Sequence, residues 1–351
     1  MLRVYTINQR KEWDTIVRSF EYYDVYYLSG YVSAFESHGD GIPLLFYYTS
    51  DELRAINVVM KRDIAYDEVM IHQISEGTYF DLKTPYGYGG WLFEGLINKR
   101  NEEILSEEYK AWCIENGIVS EWCRFHPLID NAASIVEMYN VVFMGDTVAI
   151  QLDDEQKIWE RYSSKNRGHI RVSMKEGVTV EISESREALS IFQKIYKTTM
   201  DHDNATPYYY FKESFFNSIC EELTGNYSVF TAYLEGKPIA SSIMLFAGKN
   251  MSYHLSGSLF EYRKYAGTNM ILHEAAKWGC ENGYQWLHLG GGFGGQKGSL
   301  YDFKKSFYKK GEDKKYYVGE MIINKTQYQY LEELRGNNLP GDYFPKYRTP
   351  V

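Results

Sequence analysis

A stretch of glycines followed by two adjacent lysines, Lys304 and Lys305, occupies residues 289–308 of this 351-residue chain. The segment reads LGGGFGGQKGSLYDFKKSFY. A lysine at the rim of a buried surface, beside glycines that let a ligand approach the backbone, can neutralise a developing oxyanion or a phosphate. This is the chemistry of acyl transfer. The alternative is a structural lysine whose aliphatic stem covers apolar surface while its ammonium reaches water.

Helical geometry separates the two lysines. If residues 299–308 form a helix, Leu300, Phe303 and Phe307 lie on one apolar stripe, and Lys304 is about 40° from the first of them. The second lysine then points away from the stripe. We therefore expect Lys304 to carry the transfer step.

Two commoner glycine motifs do not fit this segment. Gly290, Gly292 and Gly295 have the G-x-G-x-x-G spacing, but a serine-bounded loop follows where a dinucleotide-binding unit needs a long helix. Residues 296–299, QKGS, lack the Gly-Lys-Ser/Thr order of a P-loop. Neither a dinucleotide site nor a P-loop is predicted.

Composition predicts a globular protein of two domains. The hydrophobic content is 44%, and no apolar run is long enough to span a membrane. The first residues lack the pattern of a signal peptide, so we expect a cytoplasmic protein without a membrane span. The four cysteines have neither CxxC nor zinc-site spacing and are expected to be reduced, with no metal bound: Cys113, Cys123, Cys220 and Cys280.

The net charge of −9 is unevenly distributed. Residues 1–150 contain 12 Lys and Arg against 23 Asp and Glu, whereas residues 151–351 contain 26 against 24. Overall acidity argues against duplex DNA as a partner. Lysines between residues 296 and 315, and a second cluster between 161 and 175, are either solvated faces or seats for an anionic donor such as CoA or the acceptor end of tRNA.

The two halves of the chain repeat one pattern at an offset of 166 residues. The matched residues are Glu108, Trp112, Glu115, Asn116 and Gly117 with Glu274, Trp278, Glu281, Asn282 and Gly283. Each set predicts a helix closed by Asn-Gly and followed by a strand. A predicted hairpin precedes each helix, at 44–60 and at 227–246. Residues 208–223 are also predicted to be helical, and we infer two copies of one α/β module.

Five segments resemble the Fem-type superfamily of tandem-GNAT acyltransferases, which includes the tRNA-dependent peptidyltransferases of peptidoglycan bridges. They are TPYGYGG at 84–90, SKNRGHIRVSMKEGV at 164–178, TMDHDNATPYYYF at 199–211, YHLSGS at 253–258, and the glycine-rich segment with its Phe-Lys pair. The resemblance implies an α/β (α+β) fold of two tandem GNAT-like modules with mixed, largely antiparallel sheets. Module 1 would comprise residues 1–150 completed by 320–351, and module 2 residues 151–319.

The resemblance also implies a site. An acceptor, either a small molecule or a peptide, would bind in a cleft between the domains. The expected substrate-binding residues are Tyr86, Tyr88, Gly89, Tyr208, Tyr210, Tyr253, Ser256 and Phe303. Phe303-Lys304 matches the Phe-Lys pair of the family, whose lysine is implicated in transfer. The expected donor-binding residues are Arg167, Arg171, Arg263, Gly267, Gly291, Gly292 and Lys305. The loop at 263–268 precedes a helix, where GNAT proteins hold donor phosphates on backbone amides.

The predicted mechanism is direct attack of an acceptor amine, because the chain has no G-x-S-x-G elbow and no cysteine in a nucleophile context. Lys304 and amides near Gly291 would stabilise the oxyanion, and His254 or Asp302 would take the amine proton. Acyl-CoA or aminoacyl-tRNA would act as a co-substrate, with no tightly bound cofactor. The alternatives are a conventional CoA-dependent N-acetyltransferase and a catalytically silent module that binds a peptide or glycan.

Overall fold

The computed structural model describes residues 1–135, 137–336 and 343–350. The chain divides into two compact units. Unit 1 comprises Met1–Glu21, Tyr26–Met144 and Tyr316–Val351, and unit 2 comprises Tyr22–Val25 and Gly145–Lys315. We expected the module boundaries at residues 150 and 320; in this division they fall after Met144 and before Tyr316. Residues 136, 337–342 and 351, which fall in the predicted module 1, lie outside the described residues.

Thirteen strands are assigned within the described residues. In chain order they are β1 (Leu2–Thr6), β2 (Ile42–Thr49), β3 (Leu53–Asp63), β4 (Phe80–Lys83), β5 (Leu92–Gly95), β6 (Ile118–Arg124), β7 (Asn140–Gln151), β8 (Thr179–Ser183), β9 (Tyr227–Leu234), β10 (Lys237–Ala247), β11 (Asn250–Ser258), β12 (Trp286–Gly291) and β13 (Lys314–Ile322). The α-helices are α1 (Arg10–Arg18), α2 (Ser29–His38), α3 (Lys99–Glu115), α4 (Glu155–Arg161), α5 (Ser164–Lys175), α6 (Arg186–His202), α7 (Glu213–Glu222), α8 (Gly267–Glu281), α9 (Ser299–Lys305) and α10 (Lys325–Arg335).

Each unit contains the same strand order. In unit 1 the order is β1-β2-β3-β4-β6, and in unit 2 it is β8-β9-β10-β11-β12. In each set, the three pairs formed by the first four strands are antiparallel, and the pair formed by the fourth and fifth strands is parallel. A helix, α3 or α8, supplies the crossover that a parallel pair requires. The predicted α/β fold of two tandem modules with mixed, largely antiparallel sheets is confirmed.

A sixth strand extends each sheet beyond the parallel pair. In unit 1, residues 318–322 of β13 pair antiparallel with β6. In unit 2, residues 147–151 of β7 pair antiparallel with β12. The chain therefore supplies this strand after the other five in unit 1 and before them in unit 2.

The repeated Asn-Gly pairs end the two crossover helices in the same way. Asn116 follows α3, and its Nδ2 donates to the Trp112 carbonyl oxygen at 2.8 Å. Asn282 follows α8, and its Nδ2 donates to the Trp278 carbonyl oxygen at 2.7 Å. The glycine after each asparagine has a positive φ, 71° and 80°, which glycine adopts without a Cβ penalty.

The core of unit 2 forms where α8 packs on its sheet. The helix contributes Met270, Ile271, Leu272, Ala275 and Ala276, which are all buried. They belong to the same cluster as strand residues such as Phe230, Met244, Met251 and Leu287. Alanines at two positions allow the helix axis to approach the strands closely.

The single helix predicted at 208–223 is wrong. A 3₁₀ turn, Pro207–Tyr209, comes first, and α7 begins only at Glu213. Tyr210 between them has ψ of 76°, outside the helical region. The apolar residues that suggested one helix belong to two elements.

Among the described residues, no helix is long and apolar enough to cross a membrane. The four cysteines are free. Within the same residues, no group of three or more His, Cys, Asp or Glu side chains could hold a metal ion.

Candidate active site in unit 2

The parallel pair β11 and β12 separates at its carboxyl end. Paired residues run only from Asn250 with Trp286 to Ser252 with His288, although β11 continues to Ser258. The register of β11 against β10 shifts at His254, where β11 has one extra residue. A bulge bends a strand and often lies next to an active site. The strand segment after Ser252 is thus free to line a ligand site.

A cavity of about 550 Å³ opens beside this segment. Its walls come from β10, β11, α6, the start of α8 and the start of α9. The lining residues are Thr199, Asp203, Ile239, Ala240, Tyr253, Ser256, Gly257, Ser258, Leu259, Tyr262, Arg263, Ala266, Gly267, Thr268, Asn269, Ser299, Leu300 and Phe303. Five residues that the sequence analysis assigned to binding therefore lie together: Tyr253, Ser256, Arg263, Gly267 and Phe303.

The N-terminus of α8 lies in the cavity wall. No side chain caps this helix, and the Gly267, Thr268 and Asn269 amides have no backbone acceptor among the described residues. Ala266 before them is left-handed, with φ of 51°. Free amides at a helix N-terminus, combined with the positive end of the helix dipole, attract phosphate groups.

Helix α5 holds residues 265–269, at the start of α8, in place. The Ser173 hydroxyl of α5 donates to the Tyr265 carbonyl oxygen at 2.5 Å and lies 3.2 Å from the Ala266 carbonyl oxygen. The buried Asn269 Nδ2 donates to Asn166 Oδ1 at 2.8 Å. Helix α5 therefore fixes the orientation of the α8 amides.

Two glycines allow close packing around the cavity. A Cβ at Gly267 would lie 3.2 Å from side-chain atoms of Ala240 and Ile239. At Gly257 it would lie 2.8 Å from the Cα and N atoms of Tyr196, so α6 packs directly on β11 there. A side chain at Gly257 would meet the backbone of α6, and one at Gly267 would require its neighbours to shift slightly.

Lys304 lies on α9 and is half-buried. Its Nζ donates to the Gly291 carbonyl oxygen at the end of β12, at 2.7 Å. Burial lowers the pKa of this ammonium to about 8. Lys304 therefore joins the glycine-rich segment to α9 and holds a partly desolvated charge there, although it is not among the described residues that line the cavity.

The apolar stripe predicted on this helix is only partly correct. Phe307 is fully buried and Phe303 packs against it at 5.5 Å between ring centroids, but Leu300 is 46% exposed. Tyr301 is buried in its place and donates from its hydroxyl to Asp313 at 2.5 Å. Helix α9 ends at Lys305, short of the predicted residue 308.

Lys305 is engaged in an ion pair. Its Nζ lies 2.6 Å from Asp313 Oδ1 and 2.6 Å from the Gly311 carbonyl oxygen. This pairing argues against its predicted donor-binding role, because binding a phosphate would require breaking the ion pair. Other lysines of the predicted patch are likewise engaged: Lys297 and Lys315 with Asp146, and Lys314 over the Trp286 ring.

The two candidate proton acceptors differ in setting. His254 is at the β11 bulge, and burial lowers its imidazole pKa to about 3, which makes it a poor base at neutral pH. Asp302 is exposed in the first turn of α9. Neither is among the described residues that line the cavity. The structure thus supports neither as the base.

The two predicted donor-binding arginines of α5 have structural partners. Arg167 donates to the carbonyl oxygens of Tyr162 and Glu160 at the end of α4. The Arg171 guanidinium lies over the Trp159 ring at 5.4 Å. Neither residue lines the cavity as described. Arg167 satisfies helix-terminal carbonyls, which argues against its predicted role.

The remaining predicted residues of unit 2 lie elsewhere. Tyr208 and Tyr210 are outside the cavity as described; Tyr208 packs edge-on against Phe211, and burial raises the pKa of Tyr210 beside Asp201. Gly291 accepts the Lys304 hydrogen bond. Gly292 begins the following turn, where a Cβ would lie 2.0 Å from the Gln296 carbonyl oxygen.

The Tyr86–Gly90 loop belongs to an aromatic cluster of unit 1. Tyr86 stacks on Phe35 with centroids 5.5 Å apart, and Tyr88 packs edge-on against Tyr26 and Tyr316. The Gly89 carbonyl oxygen accepts from Asn131 Nδ2 at 2.8 Å. Both tyrosines are half-buried.

Comparison with known proteins identifies the fold. Residues 163–305 match the family model for the acetyltransferase (GNAT) domain. A crystal structure of FemX is similar with a TM-score of 0.68 at 16% identity, covering 93% of this chain and 99% of that one. The chain has a Fem-type tandem-GNAT fold. A conserved protein of unknown function from Bacteroides thetaiotaomicron VPI-5482 is similar with a TM-score of 0.55 at 11% identity, covering 91% of this chain and 98% of that one. No curated protein sequence matches the chain significantly.

The matched GNAT domain includes the cavity, the α8 N-terminus and Lys304. Domain and fold together support acyltransferase activity. Sequence reasoning missed several residues that shape this GNAT site: Ser173, Thr199, Gly257 and Asn269. The Ser-Gly-Ser at 256–258 was the one available signal, because a glycine within a strand often marks a close backbone approach.

Proposed function

We propose that this protein is an N-acyltransferase that moves an acyl group from a CoA thioester to an acceptor amine. The observation that carries the proposal is the open N-terminus of α8, whose Gly267, Thr268 and Asn269 amides border the same cavity as Tyr253 and Ser256. A pyrophosphate on those amides would place the rest of the donor along β11. GNAT-fold enzymes use acyl-CoA as a co-substrate, in agreement with this cavity.

The reaction needs a positioned amine and a stabilised oxyanion. The amine nitrogen attacks the thioester carbonyl carbon, a C–N bond forms, and the carbonyl oxygen becomes an oxyanion. Collapse breaks the C–S bond, expels the CoA thiolate and releases the amine proton to solvent. Lys304 has three N–H donors, of which one is used by Gly291, so two remain for the oxyanion.

The acceptor is an amine of a peptide or small molecule. A peptidoglycan-precursor peptide fits the similarity of the fold to FemX, but a likeness at 16% identity concerns the fold alone. Aminoacyl-tRNA is the competing donor, and it would leave the α8 amides unused.

Thr268 offers a sharp test of donor binding. Thr268→Pro removes one amide N–H in the first helical turn, where proline is tolerated, whereas Thr268→Ala keeps the amide and removes only the hydroxyl. We expect CoA and acetyl-CoA to raise the melting temperature of the wild type and of Thr268→Ala, and to have a much smaller effect on Thr268→Pro. At 100 times the Kd, the ligand stabilises by about 2.7 kcal/mol.

Turnover is measured by thiol release from acetyl-CoA with a panel of amines and peptides. Thiol release that requires an amine supports the proposal. Absence of a thermal shift with every CoA thioester, together with transfer from aminoacyl-tRNA, would assign the other donor. Stabilisation by CoA without turnover on any amine of the panel would support a silent binding module.

A further inference from the structure

Unit 1 has its own parallel pair, β4 and β6, at the position that β11 and β12 occupy in unit 2. Lys83 ends β4 and Arg124 ends β6. The backbone N–H of Arg124 donates to Thr84 Oγ1 at 2.7 Å, which joins the two strand ends. Ligands of α/β sheets bind outside the carboxyl ends of parallel strands. Because the two modules repeat one fold, the carboxyl ends of β4 and β6 are a candidate ligand site in unit 1.

Several cations gather at this edge of the unit 1 sheet. The pKa of Lys83 is lowered by burial and, more weakly, by the charges of Arg62 and Arg124. Three of the cations have carboxylate partners: Lys83 with Asp40 at 2.8 Å, Arg62 with Asp81 at 2.8 Å, and Arg348 with Asp67 at 3.1 Å and also with Asp81. These pairs balance their charges within the protein.

Arg124 is the exception. Among the described residues, none places a carboxylate within ion-pairing distance of its guanidinium, which is half-buried. Aromatic groups flank it: the Trp122 ring centroid is 4.7 Å from Cζ, and the Arg124 charge lowers the pKa of the Tyr316 phenol against the larger rise caused by burial. Tyr88 packs on Tyr316 with ring centroids 5.5 Å apart. Burial and Tyr316 raise the pKa of the Tyr88 phenol, and the positive charge of Arg124 offsets part of this rise.

A half-buried guanidinium among rings, without a counter-ion, matches an anion-recognition site. Arginine presents a planar fork of N–H donors that fits a carboxylate or a phosphate in bidentate fashion. The neighbouring cations are already paired with carboxylates, so they do not compete with Arg124 for the ligand. The flanking rings of Trp122 and Tyr88 favour a ligand with an apolar or planar part next to the anion.

We propose that Arg124 binds the carboxylate or phosphate group of a small ligand at the carboxyl end of β4 and β6. The site lies wholly in unit 1 and does not depend on acyl transfer in unit 2. Carboxylate and phosphate share the chemistry that Arg124 recognises, so separate arms of the test distinguish them.

The test uses the full chain labelled with ¹⁵N-arginine and follows the Arg124 Nε–Hε resonance, assigned by its loss in Arg124→Lys. Phenyl phosphate and phenylacetate are titrated separately at constant ionic strength. We expect a saturable shift of this resonance with at least one of them, weakened as salt rises. Arg100, exposed at the start of α3, serves as the matched control and should not shift in a saturable manner.

Variants give a second readout. We expect Arg124→Gln to abolish the thermal stabilisation that the bound probe confers on the wild type, and Arg100→Gln to leave it intact. Arg124→Lys should retain only part of it, because the fork geometry is lost. If Arg124→Gln does not fold, the wild-type titration decides alone. Unsaturable shifts of Arg124 with both probes, or equal shifts at Arg100, would overturn the proposal.

Discussion

The Nζ atom of Lys304 donates a 2.7 Å hydrogen bond to the carbonyl oxygen of Gly291, so one ammonium joins α9 to the end of β12. Its neighbour Lys305 is instead paired with Asp313 at 2.6 Å. The two adjacent lysines therefore make different interactions. The first holds a desolvated charge beside the glycine-rich segment, and the second stabilises the turn that follows the helix.

Substitution separates the two interactions. Lys304→Met should preserve the fold, because the apolar stem remains, and should lower kcat by about 10² to 10³, the usual effect of losing one oxyanion donor. Lys305→Met should leave kcat nearly unchanged but destabilise the fold by about 1 to 3 kcal/mol, since Asp313 loses its ion pair and keeps only the Tyr301 hydrogen bond. Thiol-release kinetics and urea unfolding measure the two effects. Loss of activity in Lys305→Met alone would place the active site elsewhere.

The pH dependence of the rate tests the role of the Lys304 charge. Its pKa is lowered to about 8 by burial, so the cation disappears as pH rises through that value. If the cation stabilises the oxyanion, kcat should fall above about pH 8, and Lys304→Arg should move this decline to higher pH. His254, with a pKa lowered to about 3, should contribute no change near pH 6.5, and His254→Gln should keep the same profile. A rate that rises through pH 8 would instead make Lys304 a base.

The same shift has a consequence for stability. The Lys304 pKa is lower in the folded protein than the value of 10.5 for an ordinary lysine, so the unfolded chain binds more protons between about pH 8 and 10.5. The contribution of Lys304 to the free energy of unfolding should therefore rise with pH across this window. Relative to Lys304→Met, the wild type should gain stability there. Denaturant unfolding of both proteins at pH 7.5 and 10 checks the sign, and parallel curves would contradict it.

Gly267 at the start of α8 should resist substitution. Gly267→Ala places a Cβ 3.2 Å from Ala240 and Ile239, so we expect a loss of about 1 kcal/mol and weaker CoA binding, because the amides move. Gly168→Ala is the matched control: it lies within α5, has no heavy atom within 4 Å of the added Cβ, and should stabilise by up to about 1 kcal/mol. Thermal unfolding with and without CoA compares them. Equal stabilisation of both variants would argue against close packing at Gly267.

The two Asn-Gly helix ends should contribute equally to the free energy of unfolding. Asn116→Ala and Asn282→Ala each remove one side-chain hydrogen bond to a helix carbonyl, at 2.8 and 2.7 Å, and each should cost about 0.5 to 1.5 kcal/mol. Because the two sites lie in different copies of the module, the double variant should show the sum of both losses. Urea unfolding measures all three. A large loss in one variant and none in the other would show that the two caps are not equivalent.

The local features of this protein followed from its sequence. The 166-residue repeat, the Asn-Gly helix ends and the two hairpins depend on spacing and turn chemistry between residues close in the chain, and the structure contains them all. The segments at 253–258 and 263–268 were also assigned to a site, and residues from both line one cavity. Periodicity determines which face a segment buries, provided that the segment is one uninterrupted element.

Tertiary structure decided the rest. Periodicity did not predict the end of α9 at Lys305 or the break at Tyr210, and it did not predict that Tyr301 is buried where Leu300 is exposed. The sequence also did not predict which cations form ion pairs, because Asp313, Asp146 and Asp81 reach their partners only in the folded chain. Charge partners and burial depend on contacts between distant residues. The Gly291 partner of Lys304 and the contact of Arg124 with the Tyr88 and Tyr316 cluster therefore became known only from the fold.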